Sequence, residues 1–367
     1  MKHRVLKYLL IMVMCLFLVI GCVVVNVLVN MKNAESTTGE ENKAGIESED
    51  GIEGGITEVL SHIKVYESDT LVCYEDRIFK RFSYAEDNVN NVTAIVQGML
   101  KRCPTLENIY VMPIPSRVML EEGYSGDTEM YAAYIEQLKK HLPKNGVVIN
   151  ALPELMAHRD EYIFFRAEDS WTSRGAYYGV KSLFSVIGTE IKTLEQYNEY
   201  VYGTFAGGLK GHSELAHILN LNVPDDENYY YMLQGSDNMV EVIALDDDGT
   251  EVTYKKPLIT PSSANLASYI NGSFNRAIVE GGSKESVSGG KHLLVICDSA
   301  GKVVVPFLKD YYDGIYVVNV REDYTLYDDL NEIVAKYNIS DVVYAQNSLE
   351  LGVKGYYRAL SAFCEEE

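Results

Sequence analysis

Metal-ligand patterns are missing from this chain: its seven histidines are scattered, and none of its six cysteines stands in a C-x-x-C pair. That spacing argues against a zinc site, and no metal or cofactor is expected. Positive charge is also scarce, with 32 Lys and Arg against 53 Asp and Glu and a formal net charge of -21. Nucleic acid and anionic membrane surfaces would repel such a chain, so neither is expected as a ligand. Tryptophan occurs once, against 28 tyrosines.

Long apolar runs are also few, but one is decisive. Lys2, Arg4 and Lys7 precede a stretch from Leu9 to Val29 in which Asn26 is the strongly polar interruption. That length spans a bilayer as a helix, and the preceding charges keep the short N-terminus in the cytoplasm. The expected organisation is a cytoplasmic N-terminus over 1–8, a signal anchor over 9–29, an acidic tether over 30–57 and an extracytoplasmic domain over 58–367. Residues Val19–Cys22 read VIGC, so acylation and cleavage at Cys22 is the alternative; the apolar Val23–Val29 that follows favours the uncleaved anchor. Either way the protein is expected at the cell membrane with its C-terminal domain outside. The tether, rich in Glu, Gly, Ser and Thr, cannot bury enough apolar surface to fold by itself.

Beyond the tether, amphipathic and apolar segments alternate. Asp87–Arg102 and Thr128–His141 carry the helical period, and NIYVMPIP and GVVIN read as strands. Gly175–Gly188 predicts a helix, Tyr197–Leu221 an irregular stretch, and Gly272–Gly290 a loop. Val240–Leu245 and Glu251–Lys255 flank DDDGT as a hairpin, expected as an insertion or edge element. Three β/α steps follow from His292, in HLLVICDSAGKVVVPFL, DGIYVVNV and SDVVYAQN. The pattern predicts an α/β fold with a mostly parallel sheet, flanking helices and a small β insertion. Cys73, Cys103, Cys297 and Cys364 lie outside the span; three full pairings are open to them, and a buried free thiol is expected at Cys297.

Within LLVICDSAG, an apolar strand ends in Asp298-Ser299-Ala300-Gly301 before a helix start. Such a turn puts the Ser299 hydroxyl at the carboxyl edge of the sheet, beside backbone N–H groups free to hold an oxyanion. The same residues also suit a plain helix cap, with Asp298 as a turn residue.

A second stretch, FFRAEDSWTSRGAYYGV at 164–180, holds the lone tryptophan. The N-terminal anchor, this D-x-H-W-like element and the later strand ending in Asp-Ser together resemble the DHHW family of bacterial surface proteins. That family is related to the SGNH-hydrolase-like domain of alginate O-acetyltransferases. The resemblance covers about residues 60–350, and its best-matching pieces are WTSRGAYYGV and LLVICDSAGKVVVPFL. It implies an SGNH-like sheet and a serine that attacks an acetyl donor, assisted by a histidine and an aspartate. It also implies a membrane-bound O-acyltransferase as partner and a cell-surface polysaccharide as acceptor.

On that resemblance Ser299 falls on the nucleophile, and the tetrad D-H-H-W becomes Glu168, Asp169, Ser170, Trp171. The expected catalytic positions are Ser299, Glu168 and Ser170, with Trp171, Asp298, Lys302 and Arg321 on the substrate side. Ser170 cannot act as a base near neutral pH, and Lys302 stands where the family tends to have an asparagine. A base from elsewhere would have to come from His158, His212 or His217, each equally readable as a surface or packed histidine. The expectation is a degenerate SGNH-like site that binds glycan or a partner; the alternative is an active Ser299-dependent O-acetyltransferase or acetylesterase. Thr172 and Gly175 read as cap and turn of the following helix. Arg321 reads equally as an anion or sugar ligand and as an ion-pair partner of Glu322 or Asp323.

Overall fold

The computed structural model describes residues 63–218, 221–233, 239–245, 250–260, 266, 269–270, 272, 274–281 and 292–365. The expected anchor over 9–29 and tether over 30–57 lie outside the described residues, and among those residues no helix is long and apolar enough to cross a membrane.

The described chain opens on a small antiparallel sheet of β1 (Lys64–Glu67), β2 (Leu71–Tyr74) and β3 (Ile78–Lys80). The helical period of the next segment becomes α1 (Glu86–Arg102), with Glu86 and Asp87 in its first turn and Lys101 and Arg102 in its last, matching the helix dipole. Then come β4 (Asn108–Ile114), α2 (Ser125–His141), β5 (Gly146–Val148), α3 (Leu152–Ala157) and α4 (Ser173–Ile187). Thr172 caps α4 by accepting from the Gly175 N–H at 3.3 Å, and Gly188 ends it at φ 80°, a conformation that glycine adopts without a Cβ penalty.

The stretch expected to be irregular after α4 contains β6 (Tyr197–Phe205), paired antiparallel with β7 (Asp226–Leu233). The partner strand lies across a connection too long to carry a hairpin signal, so only the folded chain reveals the pairing. The hairpin β8 (Met239–Leu245) and β9 (Glu251–Pro257) forms as expected and occupies the sheet edge. Within the segment expected to be a loop, β10 (Arg276–Glu280) is a strand. Five residues between glycine-rich flanks show no periodicity, but pairing with a strand on each side supplies the ladder.

Last come β11 (His292–Cys297), α5 (Val305–Leu308), β12 (Gly314–Asn319), α6 (Leu326–Lys336) and β13 (Ile339–Asn347). The main sheet has eight strands in the order β5-β4-β13-β11-β12-β10-β8-β9. From β5 to β12 neighbours are parallel, and β10, β8 and β9 join antiparallel, so the sheet is mixed.

Central β11 explains its own apolar run. Leu293, Val295 and Cys297 face one core with Trp171, Leu183 and Phe307, while Leu294 and Ile296 face the other with Val92, Ile95 and Leu330. A strand covered on both faces has no solvent side, so alternation disappears from its sequence. The chain leaves β11 for β12 through α5 on the first face and returns past β11 to β13 through α6 on the second. Where connections diverge in this way, the carboxyl ends of the strands open a crevice.

Candidate functional site

Ser299 follows the last residue of β11, and the turn from Asp298 to Gly301 is built around a buried carboxylate. Asp298 Oδ1 accepts from the N–H groups of Ala300 at 2.9 Å and Gly301 at 2.7 Å, and its Oδ2 accepts from Asn347 N at 2.9 Å. Asp298 is buried while Ser299 is exposed, as expected of neighbours projecting to opposite sides at a strand end. Burial, and secondarily the Glu350 carboxylate, pushes the Asp298 pKa up to about 6 against the pull of those N–H bonds. Gly301 has no room for a side chain, because a Cβ would lie 2.1 Å from the Ala345 carbonyl oxygen of β13.

The N–H groups that follow Ser299 are not free as expected. Those of Ala300 and Gly301 are occupied by Asp298, and that of Lys302 donates to the Asp298 carbonyl at 3.0 Å. A short polar side chain at the turn thus takes two of the N–H donors that follow Ser299.

A pocket of about 250 Å³ lies over this turn, lined by Gly272, Phe274, Asp298, Ser299, Lys302, Asn319, Arg321 and Glu322. Its positive groups differ in kind. Arg321 is paired with Glu350 and stacks on Tyr356 at 4.7 Å, so its partner is neither Glu322 nor Asp323. Lys302 is buried, and its ammonium donates to the Gly272 carbonyl at 3.1 Å. Among the described residues no carboxylate forms an ion pair with Lys302, and burial pulls its pKa down to about 8.

The 164–180 stretch meets this turn from the α4 side. Phe165 N donates to the Ser170 carbonyl at 3.2 Å and Thr172 N to Ile163 at 2.9 Å, so residues 166–169 form the tip of a short bridged loop. Asp226 holds that tip from below, accepting from Tyr162, from Arg166 N and, at 3.0 Å, from Ala167 N. Two bonds dock the tip on the strand ends: Asn347 Nδ2 to the Asp169 carbonyl, and Trp171 Nε1 to the Ala300 carbonyl, each 2.9 Å. Trp171 is fully buried because α4 presents glycine to it. A Cβ at Gly179 would lie 2.6 Å from the indole ring, and one at Gly175 would lie 2.2 Å from the Ile163 carbonyl oxygen.

The sequence-identified residues thus separate into two groups. Ser299, Asp298, Lys302 and Arg321 share the pocket, whereas Glu168, Ser170 and Trp171 lie outside its lining. Glu168 accepts from Gly208 N at 2.7 Å, and burial raises its pKa. Ser170 is buried and donates to the Trp171 carbonyl at 3.2 Å. Asp169 pairs with Lys80 at 3.1 Å.

The histidines considered as bases have partners of their own. His158 stacks on Tyr178 with ring centroids 3.8 Å apart and contacts Glu161 at 2.7 Å; His212 Nδ1 accepts from Glu214 N; His217 packs edge-on against Tyr66. Asn319, which lines the pocket, and Asn347, which binds Asp298 and the Asp169 carbonyl, are not expected from the sequence, although each ends an apolar strand, the one signal it offers for them. Cys73, Cys103, Cys297 and Cys364 are free thiols, and Cys297 is buried as expected.

An α/β protein with an exposed serine in a polar pocket at the carboxyl end of a central parallel strand is the class that this geometry defines. The family model described as DHHW protein matches residues 49–318, and the chain belongs to that family. Among solved structures, a DHHW family protein from Eubacterium siraeum aligns with a TM-score of 0.66 at 19% identity, over 81% of this chain and 97% of that one. Bacillus cereus PatB1 with a sulfonyl adduct aligns at 0.56 and 15% identity, over 81% and 99%. The O-acetyltransferase domain of Pseudomonas putida AlgJ aligns at 0.44 and 13% identity, over 76% and 90%. No curated protein matches the chain.

Proposed function

We propose that this domain serves the O-acetylation of a cell-envelope polysaccharide, with Ser299 receiving and passing on the acyl group. The observation that carries this is the position of Ser299: exposed, at the carboxyl end of β11, in a pocket that also holds the cationic groups of Lys302 and Arg321. A developing oxyanion there would meet positive side chains in place of the backbone N–H groups that Asp298 occupies. Membership of the DHHW family and the resemblance to SGNH-like O-acetyltransferases supply the class of reaction. On this reading residues 9–29 anchor the chain in the cell membrane with the domain outside. A membrane-bound O-acyltransferase delivers the acyl group, and a surface polysaccharide accepts it.

A second reading, a catalytically silent domain that holds glycan or the partner, is favoured by Ser170 at the position expected for the base and by its burial. Loss of the base leaves about a thousand- to ten-thousand-fold acceleration in a serine site, so the two readings differ in rate and are separable. The test is hydrolysis of p-nitrophenyl acetate by the full-length chain in detergent, alongside Ser299→Ala. Covalent labelling by a sulfonyl fluoride, a probe suggested by the adduct carried by PatB1, is followed by peptide mass. Ser299-dependent turnover and a label on the Ser299 peptide support acyl transfer; rates equal to Ser299→Ala with no label on that peptide leave the silent domain.

A further inference from the structure

We infer that Lys302 is the general base of this site, taking the Ser299 proton in place of the absent histidine. This rests on the proposed function, because it takes Ser299 as the nucleophile. Three observations carry it. Ser299 and Lys302 are three residues apart on one tight turn, closed by the Lys302 N–H to the Asp298 carbonyl at 3.0 Å, that leads into a 3-10 helix at Gly301–Val304. Both line the same pocket, and Lys302 reaches it from a buried position. Its ammonium donates to the Gly272 carbonyl at 3.1 Å and, among the described residues, meets no carboxylate in an ion pair.

A structural lysine at such burial would normally be paired, since an isolated ammonium in an apolar setting is costly. An unpaired one is inclined to lose its proton, and burial here lowers the Lys302 pKa to about 8. The titratable and charged groups that face it are Cys297 and Asp298 from β11 and its turn, and Arg321 and Glu322 after β12. Arg321 is already paired with Glu350, and Asp298 is committed to three backbone N–H groups. Among the described residues that line the pocket, Lys302 is therefore the amine able to accept a proton.

The chemistry balances with an activated acyl ester as donor. Ser299 Oγ bonds to the acyl carbon as its proton passes to the neutral Lys302 amine; the bond to the leaving group breaks, and the leaving group carries that proton away. In the second half, a hydroxyl of a sugar or of water gives its proton to the same amine and bonds to the acyl carbon. Ser299 Oγ then departs and takes the proton back. Serine–lysine pairs work in this way on other folds.

The test is kcat/KM for p-nitrophenyl acetate against pH, for the full-length chain in detergent, with Lys302→Arg, Lys302→Met and Ser299→Ala. The wild-type profile should rise with an apparent pKa of about 8, and both lysine variants should lose about a hundred- to ten-thousand-fold together with that limb. Lys302→Arg keeps a cationic donor that cannot deprotonate, so retention of rate and pH limb in this variant overturns the base role. If the lysine variants fail to fold, the pH dependence of sulfonyl fluoride labelling of wild-type Ser299 replaces them. A labelling rate flat between about pH 6 and pH 9 overturns the inference. Ser299-dependent turnover that ignores Lys302 sinks only this inference, whereas turnover that ignores Ser299 sinks the proposed function itself.

Discussion

Trp171 Nε1 donates to the Ala300 carbonyl oxygen at 2.9 Å, tying the one indole of the chain to the residue that follows Ser299. The bond is fully buried and fixes the serine turn from the α4 side. Trp171→Phe removes the donor, strands the carbonyl and leaves a cavity, and should cost about 2–4 kcal/mol in urea unfolding. Because the turn is then held on one side only, Ser299-dependent hydrolysis should fall by about ten-fold or more in kcat/KM.

Gly179 gives the indole its space. Gly179→Ala places a methyl group 2.6 Å from two ring carbons of Trp171 and should destabilise by about 1–3 kcal/mol. In a Trp171→Phe background those ring carbons are gone, and the same substitution should cost clearly less. Denaturation of the four proteins of this double-mutant cycle measures the coupling; additive costs would show that the ring is not what excludes the methyl.

Asp298 predicts a pH dependence of stability. Its pKa is raised to about 6 in the folded chain, so the folded state binds the proton more tightly than the unfolded state does. The contribution is fully present below about pH 4, is lost as pH rises to about 6 and is level above, with an amplitude on the order of 3 kcal/mol. Asp298→Asn should flatten that window in denaturation curves collected between about pH 4 and pH 7. It should also weaken the turn, because an amide carries only one acceptor oxygen for three N–H donors.

Arg276 joins the antiparallel part of the sheet to α6. Its guanidinium contacts Asp323 and Asp329 at 2.6 Å each, and Asp323 also accepts from the N–H groups of Thr325 and Leu326 at the helix start. Arg276→Met leaves Asp323 buried without its counter-charge and should cost about 3–5 kcal/mol by urea unfolding.

Legibility in the sequence followed burial. Strands β11, β12 and β13 were visible because both of their faces are covered, which forces short unbroken apolar runs. The helices α1, α2 and α4 were visible through their period, within about three residues at each end. Strands β6 and β10 were not, because pairing with β7, and with β8 and β12, decides them and leaves no local pattern. The site was half legible. The Asp298-Ser299 strand end and the Trp171 corner could be picked out, but not that Asp298 occupies the turn's N–H groups, nor that Glu168 accepts from Gly208.

The sequence by itself determined an α/β domain with a serine at a strand end, and the replacement of both family histidines by Asp169 and Ser170. These are matters of composition and order along the chain, which folding cannot change. Only the tertiary structure decided which groups share a pocket with Ser299, because proximity there depends on the ends of β11 and β12 converging with the segment before β10. It sets Glu168 and Ser170 apart from the pocket and buries Lys302 within it, without an ion-pair partner among the described residues. Desolvation then turns an ordinary surface-type residue into a candidate base, and desolvation exists only in the folded chain.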